Sequence, residues 1–219
     1  MASVPIERPA AKVLRPKYLV FGAIALMLVY VLYHTEHFLI DPADPQWPHY
    51  HEIGRWLLPH GLIGALALTL MFMQFSTRLR TRFTWLHRTC GRIYVVAVCI
   101  VAPMGAYISY LDLPVGYTYS FVVASMAFAF LWAFATLTAF YFIRTRRMEQ
   151  HRQWMTRSLC MALIFLEVRV IGGITGWENT PATDEVVVWV CVALGYPVAD
   201  IALQIQALLL ARDKLPKSA

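Results

Sequence analysis

The sequence predicts an all-α membrane protein, a bundle of six transmembrane helices with both termini cytoplasmic. Three observations carry that prediction. Of 219 residues, 59% are hydrophobic and 15% charged, whereas a soluble domain is about half apolar and about a quarter charged. Six apolar runs, at residues 18–39, 56–75, 91–111, 118–143, 154–176 and 186–211, are each long enough to cross a ~30 Å hydrocarbon layer as a helix. Finally, 17 of the 19 Lys and Arg residues flank these runs on one side, which the positive-inside rule assigns to the cytoplasm.

The elements follow in order. Residues 1–17 form a cytoplasmic segment carrying Arg8, Lys12, Arg15 and Lys17. The first run is followed by HTEHF rather than a small-x-small cleavage pattern, so it reads as a retained helix and not as a signal peptide. The loop after it, HTEHFLIDPADPQWPHYHEIGR, contains prolines and Asp-Pro steps that argue against regular helix. Its four histidines, His34, His37, His49 and His51, include one weak chelating spacing, His49-x-His51. The second run places His60 near its outer end and Gln74 at its inner end.

Arg78, Arg80 and Arg82 then precede WLHRTCGRIY, the polar entrance to the third run. There His87, Gly91, Tyr94 and Val98 recur on one helical face, with Gly91 allowing a neighbour or a flat ligand to approach. The fourth run contains no histidine, and Arg144, Arg146 and Arg147 follow it as loop charges. The fifth run is entered through QHRQWMTRS, a second His-Arg dipeptide at His151 and Arg152, with Arg157 just beyond. Trp85 and Trp154 read as interfacial aromatics. His151, Ser158, Ala162, Phe165 and Arg169 share one face of this helix, and Arg169 stands roughly 27 Å beyond His151. Glu167 and Arg169 lie on different sides of that helix, so each needs a partner from elsewhere. The sixth run carries Asp200 three residues after Pro197. Residues 18–211 thus form one transmembrane domain, and 212–219 a basic cytoplasmic tail.

The opposite loops are acidic, with Glu36, Asp41, Asp44, Glu52, Asp112, Glu178, Asp184 and Glu185. The net charge of +6 and pI of about 9.3 therefore report topology and affinity for anionic lipid, not nucleic-acid binding. The cysteines, Cys90, Cys99, Cys160 and Cys191, form no CxxC pair and read as small apolar residues.

The stretches HGLIGALALTLMFMQ (60–74), RLR (78–80), LHRTCGRIY (86–94) and HRQWMTRS (151–158), with Arg169, resemble the bacterial membrane family called domain of unknown function 2306. The resemblance covers roughly residues 55–175. It implies a multi-pass protein of the bacterial inner membrane and no particular reaction.

Three functional readings stand. The first is a membrane redox protein binding b-type haem between the third and fifth helices. In it His87 and His151 ligate the iron, Arg88, Arg92, Arg152 or Arg157 meet the propionates, and quinone is a further partner. The fourth run offers no histidine for a second haem, which leaves His60 only His34 or His37 as a mate. The second reading is binding or transport of an anionic lipid or small anion, with His60, Gln74, Glu167, Arg169 and Asp200 as an intramembrane polar site. The third is a non-catalytic assembly factor or subunit of a larger membrane complex or homo-oligomer. No nucleophile elbow, phosphate loop or HExxH motif supports hydrolase or kinase chemistry.

Overall fold

The computed structural model describes residues 16–34, 43, 47–176 and 181–212. The expected cytoplasmic segment up to residue 15, most of the tail, His37 and Glu178 lie outside the described residues. The described chain is helical: α1 (Pro16–His34), α2 (Trp47–Glu52), α3 (Gly54–Gln74), α4 (Thr77–Arg82), α5 (Thr84–Leu111), α6 (Tyr119–Arg144), α7 (Met148–Thr175) and α8 (Pro181–Arg212). The third to sixth apolar runs correspond to α5, α6, α7 and α8.

Five of these helices, α3, α5, α6, α7 and α8, are long and apolar enough to span a membrane. The first run forms α1, whose fully described apolar stretch, Phe21–Val31, is shorter. Helices α5, α7 and α8 begin five to seven residues before their apolar runs. The polar entrances are therefore first turns of helices. His87 is the fourth residue of α5 and His151 the fourth of α7.

The loop read as irregular also contains helix. Trp47–Glu52 forms a short α2 with Pro48 as its second residue, where the missing N–H has no intrahelical partner to lose. Proline also sits inside α3, α5 and α8, at Pro59, Pro103 and Pro197.

Each long helix packs on its sequence neighbours: α5 on α3 and α6, α7 on α6 and α8, with α1 against α7 and α8 also touching α6. Water cannot drive this association within a membrane, so close backbone approach has to. Ala67, Ala124, Ala135, Ala139 and Ala199 are fully buried at these contacts. Gly195 brings α8 onto α7 so tightly that an added Cβ would stand 2.8 Å from the Met161 sulfur. Outward-facing Leu62, Phe130 and Leu208 are more than two-thirds exposed, as lipid-facing side chains should be.

The chain direction sets two polar faces. Thr118 caps α6 by accepting from Phe121 N–H at 3.1 Å. The far end of α6 closes when Arg146 N–H donates to the Ile143 carbonyl and Arg147 N–H to that of Phe142, a Schellman closure. The ends of α3 and α6 and the starts of α5 and α7 make a basic face. The helix starting at Pro181, the α5–α6 turn and α2 make an acidic one.

Candidate functional site

On the basic face a cavity of about 890 Å³ opens between α5, α6, α7 and α8, within the ~300–1,000 Å³ range of ligand sites. Both His-Arg dipeptides line it, His87 and Arg88 from α5 and His151 and Arg152 from α7. Gln74, Gly91, Arg92 and Tyr94 line it too. So do Arg80, Arg144 and Arg146, which position in the sequence marks only as topology charges.

The two imidazoles are held differently. His151 Nδ1 lies 2.9 Å from the Ala139 carbonyl. A carbonyl only accepts, so Nδ1 carries the proton and Nε2 is left as the lone-pair nitrogen. His87 Nδ1 is buried and has no hydrogen-bond partner among the described residues. The backbone of α5 beside it is steadied by Gln74, whose Nε2 donates to the His87 carbonyl at 3.3 Å. Gly91 makes room for that same glutamine, since an added Cβ would meet Gln74 Oε1 at 3.1 Å. The close approach at Gly91 therefore belongs to Gln74.

The floor is a closed ring of buried hydrogen bonds. Trp132 Nε1 donates to Tyr94 Oη at 3.1 Å, and Thr136 Oγ1 donates to the Trp132 carbonyl at 2.8 Å. Tyr94 Oη–Ser158 Oγ and Thr136 Oγ1–Ser158 Oγ are both 2.7 Å. Thr136 has already used its one proton, so Ser158 must donate to Thr136 and Tyr94 to Ser158. The ring runs Trp132, Tyr94, Ser158, Thr136 and back to Trp132 with every proton assigned. It joins α5, α6 and α7 where the His87 and His151 stripes meet. Spacing of four along α6 places Trp132 and Thr136 on one face, a signal that pattern reading could have used.

Arg157 is held elsewhere. Its Nε and a terminal nitrogen reach Asp200 Oδ1 at 2.9 and 2.7 Å, and its guanidinium lies 4.7 Å from the Trp154 ring centre. Trp154 packs against Phe134 and Tyr196, so it joins α6 and α8 rather than serving only as an interfacial anchor; Trp85 remains exposed. Asp200 thus ties α8 to α7 through a side chain.

The residues read as one intramembrane polar site separate. Gln74 belongs to the basic cavity and Asp200 to Arg157. Glu167 has the Cys160 and Cys191 thiols as electrostatic neighbours; among the described residues no hydrogen bond or ion pair reaches it. His60 and Arg169 lie toward the acidic face. The His60 ring sits against Gly105, where a Cβ would come within 2.9 Å of Cε1, and its buried Nδ1 has no partner among the described residues. The Arg169 guanidinium lies 5.6 Å from the Phe165 ring centre, and its charge reaches His60, Asp112 and Tyr117.

That face also holds an acid cluster that sequence reading took only for loop charge. His49 Nε2 and Asp112 Oδ1 are 2.8 Å apart, which docks α2 on the end of α5. Tyr117 Oη donates to Asp184 at 3.1 Å, Thr118 donates to Glu185, and Trp189 Nε1 donates to Ser120. Burial pushes the Asp112 carboxyl above the usual carboxylate range, with the His49 hydrogen bond and the Arg169 charge acting against it. Burial and the nearby Asp184 charge push the Tyr117 hydroxyl upward. His49 is thereby engaged with a carboxylate, and no group of three metal-ligating side chains occurs among the described residues. The four thiols are free, with Cys90 and Cys191 buried.

A family model described as Predicted membrane protein (DUF2306) matches residues 57–203. No curated protein and no solved structure matches the chain.

Proposed function

We propose, for a chain that belongs to the DUF2306 family of predicted membrane proteins, that the basic cavity binds b-type haem between α5 and α7 and that the protein works in membrane electron transfer. The proposal includes the orientation read from the charges, with the basic face toward the cytoplasm of a bacterial inner membrane. One observation carries it: two histidines, each the fourth residue of its helix, line the same cavity from different helices.

The residues fit the group. His151 keeps Nε2 unprotonated because Nδ1 donates to the Ala139 carbonyl, the arrangement that fixes a metal-binding imidazole in position. His87 lines the same cavity from α5, and with Nδ1 enclosed by protein its Nε2 is the nitrogen left to a ligand. Arg88, Arg92 and Arg152 line the cavity and supply counter-charge and hydrogen-bond forks for two propionates. When bound, haem supplies a one-electron couple. The floor ring spends each of its protons internally, so Tyr94, Ser158 and Thr136 hold the helices together and act as no acid toward a ligand. An absorption spectrum of protein purified from haem-replete cells tests the reading: a Soret band is expected, and a colourless protein overturns it.

A further inference from the structure

The arginines of the cavity exceed what two carboxylates require. Six of them, Arg80, Arg88, Arg92, Arg144, Arg146 and Arg152, line it together with one acid, Glu149. That carboxylate is engaged with Gln153 Nε2. No carboxylate pairs with Arg80, Arg144 or Arg146 among the described residues. The six also divide by depth. Arg88 and Arg152 are the fifth residues of α5 and α7, and Arg92 is a turn further in. Arg80 on the short α4, Arg144 at the last position of α6 and Arg146 in the α6–α7 turn stand at the mouth.

Arg146 carries a second sign. Its φ is 60°, which makes it the one non-glycine residue with positive φ among the described residues. It occupies the position after the α6 cap that ends a Schellman closure, where glycine is ordinary because an L side chain is strained there. The other positive-φ positions among the described residues, Gly116 and Gly176, are glycines. At the end of α6, which borders the cavity, an arginine stands instead, and it lines that cavity.

We propose that the mouth of the cavity is a binding site for a phosphate-class anion, with Arg146 as its principal contact and Arg80 and Arg144 beside it. A tetrahedral dianion offers acceptors to several guanidinium forks at once, which a single carboxylate does not. Its source is a lipid phosphomonoester headgroup or a soluble phosphate. The site is independent of haem: a colourless protein leaves it standing, and its failure leaves the haem reading intact.

The test is thermal unfolding of the full-length protein in neutral detergent, at constant ionic strength, with added inorganic phosphate or short-chain phosphatidic acid. Arg146→Gly is expected to raise the unfolding midpoint without ligand, because strain is removed, and to weaken the apparent affinity about tenfold or more. Arg78→Gln, an exposed arginine outside the cavity, should change neither. A response to phosphatidic acid alone assigns the lipid source, and a response to inorganic phosphate assigns the soluble one. Arg146→Asn, which tolerates the same backbone conformation, provides the measurement if the glycine variant does not fold. Equal ligand stabilisation of the wild type and the Arg146 variants overturns the proposal, as does a wild type that responds to neither probe.

Discussion

Replacing Tyr94 by Phe removes one oxygen from the middle of the bundle and keeps the ring that packs there. Tyr94 is 1% exposed and Trp132 is 6% exposed, so no solvent takes over the lost bond. The Trp132 N–H, which donates to Tyr94 at 3.1 Å, is left without an acceptor, whereas Ser158 still donates to Thr136. An orphaned buried donor costs about 1–3 kcal/mol, and interhelical bonds in membranes average about 0.6 kcal/mol with a maximum near 1.7. The expected loss for Tyr94→Phe is therefore about 1–2 kcal/mol, toward the upper end of membrane values. Ser158→Ala should cost a similar amount, because it strands the Tyr94 O–H, which is equally buried. The double variant should cost less than the sum, because both changes break one shared bond. Equilibrium unfolding in mixed micelles, followed by circular dichroism, measures all three. A Tyr94→Phe cost below about 0.5 kcal/mol, or strict additivity, would refute the directed ring.

Other consequences are as direct. Gly105→Ala drives a methyl against the His60 ring at 2.9 Å and should destabilise by about 1–3 kcal/mol; Gly61→Ala, which meets nothing within 4 Å, should be neutral or mildly stabilising in the same unfolding assay. Asp112→Asn should make the protein less sensitive to pH. A carboxyl whose folded pKa is raised contributes stability below its ordinary pKa and loses it as pH climbs through the raised value. The wild-type midpoint should therefore fall relative to the Asn variant as pH rises through that window. Asp200→Asn, at a pair whose carboxylate is 47% exposed, should cost about 1 kcal/mol or less. A reporter fused after Lys214 should be active only on the cytoplasmic side.

What the sequence made legible was set by period and charge. The crossing helices follow from run length, and the matched depth of His87 and His151 follows from two polar entrances of the same composition. Helix starts were less legible because the first turns of α5, α7 and α8 are polar, so hydropathy places each start a turn or two late. The cavity itself depends on how four helices meet. Arg80 and Arg146 are separated by α5 and α6, and nothing local says that they face one space. Arg157 illustrates the same limit: its spacing from Arg152 suggests a shared ligand, yet Asp200, 43 residues away, holds it. His49 and Asp112 are likewise drawn together only by the antiparallel return of α3 and α5.

The haem reading stands most directly on the visible absorption spectrum of the purified protein beside three variants. A Soret band is expected in the wild type and in Arg157→Gln, whose guanidinium belongs to Asp200. His87→Ala and His151→Ala should each abolish it, while unfolding midpoints show that both proteins still fold. A wild type without the band, or a band that survives loss of either histidine, would contradict the account.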